Sequence, residues 1–81
     1  MSVKLAVVDD DPEMLALLTL ILGKAGYDVK TYATPGRFLD SLVKARPDLC
    51  VLDMQLPGIH GREVIRILRE NAATRLLPIV A

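Results

Sequence analysis

The chain has 81 residues, 52% of them hydrophobic, and its basic and acidic residues balance to a formal net charge of zero. This length allows one small domain with a modest core. A neutral chain offers no electrostatic footprint for nucleic acid or an anionic membrane surface, so we expect neither contact from this domain. The longest apolar stretch, residues 14–22, is far shorter than the ~20 residues of a membrane span. Without a signal-peptide pattern at its start, the sequence predicts a cytoplasmic protein.

The first predicted strand covers about residues 4–8, an apolar run that ends at three consecutive aspartates, residues 9–11. A helix is predicted to begin at Pro12, since Asp11 is a good N-cap and proline suits the first helical position. Gly26 is predicted to end this helix. Its apolar residues recur at helical spacing and predict a stripe that packs into the core, made of Met14, Leu15, Leu18, Ile21 and Leu22 and widened by Leu17 and Leu20.

A second strand is predicted over residues 28–32, where the alternation of side chains is typical of a strand near the sheet edge. Thr34 as an N-cap and Pro35 after it predict a second helix, which ends before Pro47. Its predicted apolar stripe consists of Phe38, Leu39, Leu42 and Val43.

The third predicted strand, residues 49–52, is apolar and ends at Asp53. Cys50 lies inside it and is interpreted as a small core residue rather than a reactive thiol. A turn-rich loop over residues 55–61 leads to a third helix, and the apolar run over residues 76–81 predicts the start of a fourth strand. The third helix carries the apolar residues Val64, Ile65 and Leu68.

Acidic residues follow two of the predicted strands: Asp9 and Asp10 follow the first, and Asp53 follows the third. Strands that alternate with helices predict an α/β fold with a mostly parallel sheet and helices on both faces. The two acidic groups meet if the first and third strands are neighbours, as they are in the strand order 2-1-3. Converging carboxylates repel one another unless a cation lies among them, and their oxygens suit Mg²⁺. The sequence therefore predicts a magnesium site at this edge.

Three segments carry a family resemblance. Residues 7–12 read Val-Val-Asp-Asp-Asp-Pro, residues 47–53 read Pro-Asp-Leu-Cys-Val-Leu-Asp, and Leu-Pro-Gly at 56–58 is followed by Gly61. With these segments in this order, the whole chain resembles the receiver domain of a bacterial two-component response regulator. The resemblance implies a flavodoxin-like (CheY-like) three-layer fold with strand order 2-1-3-4. It also implies that residues 1–81 form a truncated receiver domain that lacks the last helix-strand-helix part, with the Thr or Ser and the Lys which the family carries there.

The resemblance implies a role for each matching position. Asp53 matches the phosphoacceptor, Asp10 the residue that ligates Mg²⁺ directly, and Asp9 its partner, which usually acts through water. The backbone carbonyl of Gln55 matches the third protein ligand. The implied function is that of a signalling module that accepts a phosphoryl group on Asp53 from a sensor histidine kinase or phosphotransfer protein. The resemblance implies no enzyme activity other than catalysis of this transfer to itself.

Two other functions stay open. The chain could be a non-catalytic assembly fragment that folds or dimerises but cannot complete the phosphorylation switch. An exposed edge on the fourth strand favours a homodimer of this kind. The third possibility is a phosphatase with an aspartate nucleophile, but that class would carry another acid two residues after Asp53, where Gln55 stands.

Several of these residues also have simpler interpretations. Asp11 is interpreted as a helix cap rather than a ligand. Asp9 and Asp10 alone could merely favour the positive end of the helix, and Asp53 alone could be a turn residue. His60 is interpreted as a loop or helix-start residue rather than a metal ligand. The charged residues of the third helix are interpreted as a solvated face, with a partner surface as the alternative, and they are Arg62, Glu63, Arg66, Arg69 and Glu70.

Overall fold

The computed structural model describes residues 2–53 and 61–80 of the chain. Strands and helices alternate through these residues in the order β1 (Lys4–Val8), α1 (Pro12–Lys24), β2 (Asp28–Tyr32), α2 (Pro35–Ser41), β3 (Leu49–Leu52), α3 (Gly61–Glu70) and β4 (Ile79–Val80). The strands form one parallel sheet in the order β2-β1-β3-β4. This topology confirms the predicted α/β fold and its strand order.

The helices lie on opposite faces of the sheet. The connection from β1 to β2 runs toward one edge of the sheet, whereas the connections from β2 to β3 and from β3 to β4 run toward the opposite edge. Because such crossovers are right-handed, α1 lies on one face and α2 and α3 lie on the other. We call these the α1 face and the α2/α3 face. Of the helices that the structure describes, none combines the length and apolar content of a membrane span.

The main hydrophobic core lies on the α2/α3 face. Its buried residues are Ala6, Val8, Phe38, Cys50, Leu52, Val64, Leu68 and Leu77. Phe38 is fully buried, and its ring centroid lies 5.5 Å from that of Tyr32 on the edge strand β2. Burial raises the pKa of the Cys50 thiol to about 12. The interpretation of Cys50 as a core residue is therefore confirmed.

Both predicted ends of α1 are confirmed. The Asp11 carboxylate accepts a hydrogen bond from the Glu13 backbone N–H at 3.0 Å, which caps the first turn. At the other end Gly26 has a φ of 98°, a left-handed conformation that suits glycine. The Tyr27 N–H then donates to the Leu22 carbonyl at 3.1 Å, so the chain reverses into β2 through a Schellman turn.

The prediction that the apolar stripe of α1 packs into the core is wrong for four of its seven residues. No residue of α1 is buried, and only Leu15, Leu18 and Leu22 are half-buried. The most exposed apolar side chains of the helix are Met14 at 40%, Leu17 at 49%, Ile21 at 52% and Leu20 at 56%. The reason is that α1 is the only described helix on its face of the sheet, so nothing described covers its outer side.

The second helix is shorter than the sequence predicts. It ends at Ser41, whose hydroxyl donates to the Phe38 carbonyl at 2.6 Å, and a tight turn follows. Val43 therefore lies beyond the helix and is 90% exposed, so its predicted place in the apolar stripe is wrong. Leu39 and Leu42 do pack against the core.

The fourth strand begins at Ile79, later than predicted, because residues 72–76 form a turn. Thr74 is buried in this turn, and its hydroxyl donates to the Leu68 carbonyl at 2.7 Å. Arg69 holds the same turn from the end of α3, donating to the carbonyls of Arg75 and Leu77 at 2.9 and 2.7 Å. Arg69 is exposed, as the sequence predicts for the solvated face of α3, and its guanidinium also stabilises this turn.

Arg66 behaves as the sequence predicts for the solvated face of α3. Its guanidinium pairs with both Glu63 and Glu70, one turn away on either side, and all three side chains are exposed. The hydrogen bond from Arg66 lowers the pKa of the Glu63 carboxyl. Pairs of this kind stabilise a protein only slightly because water screens them.

Candidate metal centre

Asp9, Asp10 and Asp53 lie at the carboxyl edge of the sheet, directly after β1 and β3. These two strands are parallel neighbours, and Val8 pairs with Leu52 at their last residues. The residues that follow the paired positions must therefore come together at the same edge. This edge is where open α/β sheets bind ligands.

The structure brings all three predicted aspartates together. One carboxylate oxygen from each lies within 4.8 Å of the others. Asp9 and Asp53 are half-buried between the strand ends, whereas Asp10 is exposed. The cluster is thus open to solvent on the side of Asp10 and backed by the sheet on the side of Asp53.

Backbone hydrogen bonds extend the sheet ladder to these aspartates and fix their positions. The Asp53 N–H donates to the Val8 carbonyl at 2.9 Å, and the Asp9 N–H donates to the Tyr32 carbonyl at 3.1 Å. The Asp9 carboxylate also accepts the Asp11 N–H at 3.0 Å, which orients its side chain. The contribution of Tyr32 was missed in the sequence, because a backbone carbonyl leaves no side-chain signal there.

The donor set fits a hard divalent cation. The cluster brings three carboxylates within 4.8 Å of one another, and their negative charges repel at this distance. A divalent cation among the oxygens offsets this repulsion, and carboxylate oxygens are the donors that Mg²⁺ prefers. The cluster is therefore a candidate Mg²⁺ site.

Other predicted site residues fall outside the described part of the chain. Gln55, with its carbonyl as a ligand, the turn at Pro57 and Gly58, and His60 all belong to residues 54–60, so their roles stay predictions. Asp11 is in the described part. Its carboxylate caps α1, which confirms its interpretation as a cap.

Curated relatives match the chain from end to end. The DNA-binding response regulator MtrA of Mycolicibacterium smegmatis is 35% identical over all 81 residues. The phosphate regulon transcriptional regulatory protein PhoB of Rhizobium meliloti is 38% identical over 77 residues, which are 95% of the chain. The chain spans only 36% of MtrA and 34% of PhoB, about a third of the length of each.

Solved structures share the fold closely. The chemotaxis response regulator CheY4 of Vibrio cholerae superposes with a TM-score of 0.93 at 29% identity, covering 98% of this chain and 66% of that one. The N-terminal domain of a response regulator receiver protein from Methanoculleus marisnigri gives a TM-score of 0.89 at 29% identity, covering 94% of this chain and 62% of that one. The family of response regulator receiver domains matches residues 5–81. The chain therefore belongs to the receiver domain family of two-component response regulators.

Proposed function

We propose that this receiver domain accepts a phosphoryl group on Asp53 from a sensor histidine kinase or a phosphotransfer protein. We take residues 1–81 as one receiver unit. The observation that carries the proposal is the meeting of Asp9, Asp10 and Asp53 within 4.8 Å at the carboxyl edge of the sheet. Proteins of this family interact with such kinases and phosphotransfer proteins, and the match over residues 5–81 extends that expectation to this chain.

The proposed reaction is a single displacement at phosphorus. A carboxylate oxygen of Asp53 attacks the phosphorus atom, the bond between phosphorus and the donor's leaving atom breaks, and an aspartyl phosphate forms. Phosphoryl transfer depends mainly on alignment and on positive charge near the transferring oxygens. Mg²⁺ held by Asp9, Asp10, Asp53 and the Gln55 carbonyl would supply that charge.

The chain's own contribution is to hold the nucleophile in place. Asp53 is joined to Val8 through its backbone N–H, so its carboxylate projects from the end of a rigid ladder. Asp9 is held through both its backbone and its carboxylate. Asp10 is exposed and faces the solvent from which the donor arrives. This arrangement keeps the acceptor oriented before the donor binds, which reduces the entropic barrier to transfer.

A mass measurement tests this proposal. The chain is incubated with Mg²⁺ and acetyl phosphate, and intact mass spectrometry is used to detect one added phosphoryl group. We expect the gain in the native chain and none in Asp53→Ala. The matched control is Asp40→Ala, which makes the same change at an exposed aspartate of α2 outside the cluster and should leave the gain unchanged. No gain in the native chain at saturating Mg²⁺ contradicts the proposal.

A metal titration separates binding from transfer. Mn²⁺ replaces Mg²⁺ as a probe, because its unpaired electrons broaden the NMR signals of nearby amides. We expect the amides of Asp9, Asp10 and Asp53 to broaden first, and Asp10→Asn to require more metal for the same effect. Equal broadening of the amide of Asp40, away from the cluster, would place the metal elsewhere.

We further propose that the domain acts in the cytoplasm and turns over no substrate beyond its own phosphorylation. The MtrA relative is named as a DNA-binding regulator, and this chain spans about a third of its length. We propose that any contact with nucleic acid is made outside residues 1–81, since their net charge is zero. A histidine kinase supplied with ATP, or a phosphorylated phosphotransfer protein, added in place of acetyl phosphate tests the choice of donor.

The second candidate function is assembly of a homodimer through β4. Among the described residues β4 pairs only with β3, so its outer edge presents backbone groups without strand partners, and Val80 on this strand is 53% exposed. Light scattering at micromolar concentration should give a dimer mass for the native chain. Val80→Pro should give a monomer because proline interrupts edge pairing. A monomer mass for the native chain would exclude this function.

A further inference from the structure

Three neighbouring depressions on the surface share a single side chain, that of Arg46. They have volumes of about 100, 350 and 310 Å³, and Arg46 lines each of them. We call the combined feature the Arg46 groove. The residues that matter to its chemistry are Lys4, Lys30, Val43, Arg46, Arg75 and Leu76.

Arg46, the centre of the groove, precedes β3 whereas Asp53 follows it, so Arg46 lies at the opposite end of the sheet from the aspartate cluster. Lys4 is the first residue of β1, and Asp9 follows the last one. The length of this strand, at ~3.3 Å per residue, separates the two ends by ~13 Å. A ligand centred on Arg46 therefore leaves the aspartate cluster free, and the two sites can be occupied together.

The groove carries an excess of positive charge. Its cations are Lys4, Lys30, Arg46 and Arg75, against the carboxylates of Asp28 and Asp48. Within the described ranges, none of the four groove cations forms an ion pair with a carboxylate. Since the whole chain is neutral, this excess is local.

One of the two carboxylates is already engaged by the backbone. Asp48 accepts the Lys4 backbone N–H at 2.8 Å, and its own N–H donates to the Lys4 carbonyl at 2.7 Å. These bonds fix the start of β3 against the start of β1. Among the described residues, no ion pair joins Asp48 to Arg46.

Two apolar side chains flank the same cation. Val43 is 90% exposed and lines one depression, and Leu76 is 86% exposed and lines another. Isolated exposed apolar residues are common on protein surfaces. These two are the most exposed large apolar side chains among those described, and Arg46 lies beside both depressions. A surface that combines several cations with exposed apolar side chains matches a polypeptide better than a small ion.

We propose that the Arg46 groove binds an acidic polypeptide segment that carries apolar side chains. Glutamate or aspartate side chains of the segment pair with Arg46 and its neighbouring cations, and apolar side chains contact Val43 and Leu76. This proposal goes beyond phosphoacceptance, because it assigns a second binding surface which neither Asp53 nor the metal cluster contributes to. The binding is electrostatic at its centre, so it weakens as salt screens the charges.

Fluorescence anisotropy with a labelled peptide tests this proposal. The probe is a peptide of glutamates with two leucines among them, and its counterpart has glutamine in place of every glutamate. We expect the acidic peptide to bind more tightly than the glutamine peptide, and the difference to shrink as sodium chloride is added. Equal binding of the two peptides would overturn the proposal.

Charge variants locate the binding site. Arg46→Glu should weaken binding of the acidic peptide by about tenfold or more, while Arg46→Lys should retain most of it. The matched control is Arg37→Glu, which makes the same change of charge on an exposed residue of α2 that does not line the groove. Equal losses in both reversal variants would mean non-specific attraction and overturn the proposal. Arg46→Gln serves as the groove variant if circular dichroism shows that Arg46→Glu does not fold.

Two further measurements distinguish other outcomes. Amide shifts in NMR spectra should move over residues 43–48 and 72–78 when the peptide is added, and shifts confined to α1 would overturn the assignment. Release of the peptide by inorganic phosphate, but not by sodium chloride of equal ionic strength, would assign the groove to small anions instead. The peptide assays contain no Mg²⁺ and no phosphodonor, and Asp53→Ala should bind normally. Failure of this proposal is thereby distinguishable from failure of phosphoacceptance.

Discussion

The two faces of the sheet differ in how completely their apolar residues are covered. On the α2/α3 face, Phe38, Val64 and Leu68 each have a relative exposure of 0%. On the α1 face, the strand residues Leu5 and Val7 are buried, but the helix above them contains no buried residue at all. The more apolar helix, α1, thus gives only a half-covered layer, whereas the less apolar helices α2 and α3 close a core.

This difference shows that apolar content does not by itself define a core. Stabilisation by burial follows the apolar area removed from water, about 25 cal/mol per Å², and an exposed leucine removes little. The α2/α3 face is therefore expected to carry most of the stability of the described residues. The outer side of α1 is expected to tolerate substitution.

The largest expected effect of truncating a side chain is that of Phe38. Phe38→Ala should lower the free energy of unfolding by ~3–5 kcal/mol, because it opens a cavity in a fully buried site. Leu20→Ala on α1, at a position that is 56% exposed, should lower it by less than ~1 kcal/mol. Urea unfolding monitored by circular dichroism measures both. Equal losses would mean that the two faces are equally covered in solution, and Phe38→Leu provides a milder variant if the alanine variant does not fold.

The buried thiol of Cys50 should make the α2/α3 face sensitive to alkali. Its pKa is raised from an ordinary value of 9.0 to about 12, so the unfolded chain loses this proton at lower pH than the folded chain. The contribution to stability is complete below about pH 9 and declines as pH rises towards 12, by up to ~1.4 kcal/mol per pH unit. Urea unfolding at several pH values should show a steeper alkaline loss for the native chain than for Cys50→Ala. Parallel curves for the two proteins would exclude this thiol as the cause.

Two arginines of α3 should differ although they lie three residues apart. Arg69→Ala should lower the free energy of unfolding by ~1–2 kcal/mol, because it removes charged hydrogen bonds to the carbonyls of Arg75 and Leu77. Arg66→Ala should lower it by less than ~1 kcal/mol, since its partners Glu63 and Glu70 are exposed. Thermal unfolding of both variants at low and high salt measures the difference. A larger loss of unfolding free energy in Arg66→Ala than in Arg69→Ala would contradict the role of Arg69 in stabilising the turn before β4.

The smallest expected effect is a new charge on the outer side of α1. Ile21→Lys, at a position that is 52% exposed, should change the free energy of unfolding by no more than ~0.5 kcal/mol. Leu68→Lys, which puts the same charge into the fully buried side of the sheet, should prevent folding. Circular dichroism and urea unfolding compare the two variants. A strongly destabilised Ile21→Lys would show that something covers this side of α1 in solution.

Elements set by local pattern were predictable, and those set by distant contacts were less so. β1 and β2 lie at the predicted residues because each is bounded by residues that favour turns or caps. The start of β4 depends on the hydrogen bonds that Thr74 and Arg69 make in the turn before it. No local sequence pattern indicates such contacts. The exposure of Ile21 depends on what packs over α1, which the periodicity of its own helix does not contain.

The candidate site was predictable for a physical reason. Aspartates that directly follow parallel neighbouring strands must meet, so Asp9, Asp10 and Asp53 could be placed together once the strand order was inferred. The carbonyl of Tyr32 could not be placed, because register between strands is a property of the whole sheet. The role of Gln55 remains a prediction from the family resemblance.

The backbone bonds from Asp9 to Tyr32 and from Asp53 to Val8 have a consequence for protein engineering. They make the spacing of the carboxylates depend on the distance between adjacent strands, ~4.8 Å in any sheet, rather than on a flexible loop. A designer could therefore transplant the cluster by grafting aspartates onto the carboxyl ends of two paired parallel strands in another scaffold. In such a transplant the sheet, rather than the sequence around the ligands, sets the distance between the carboxylates.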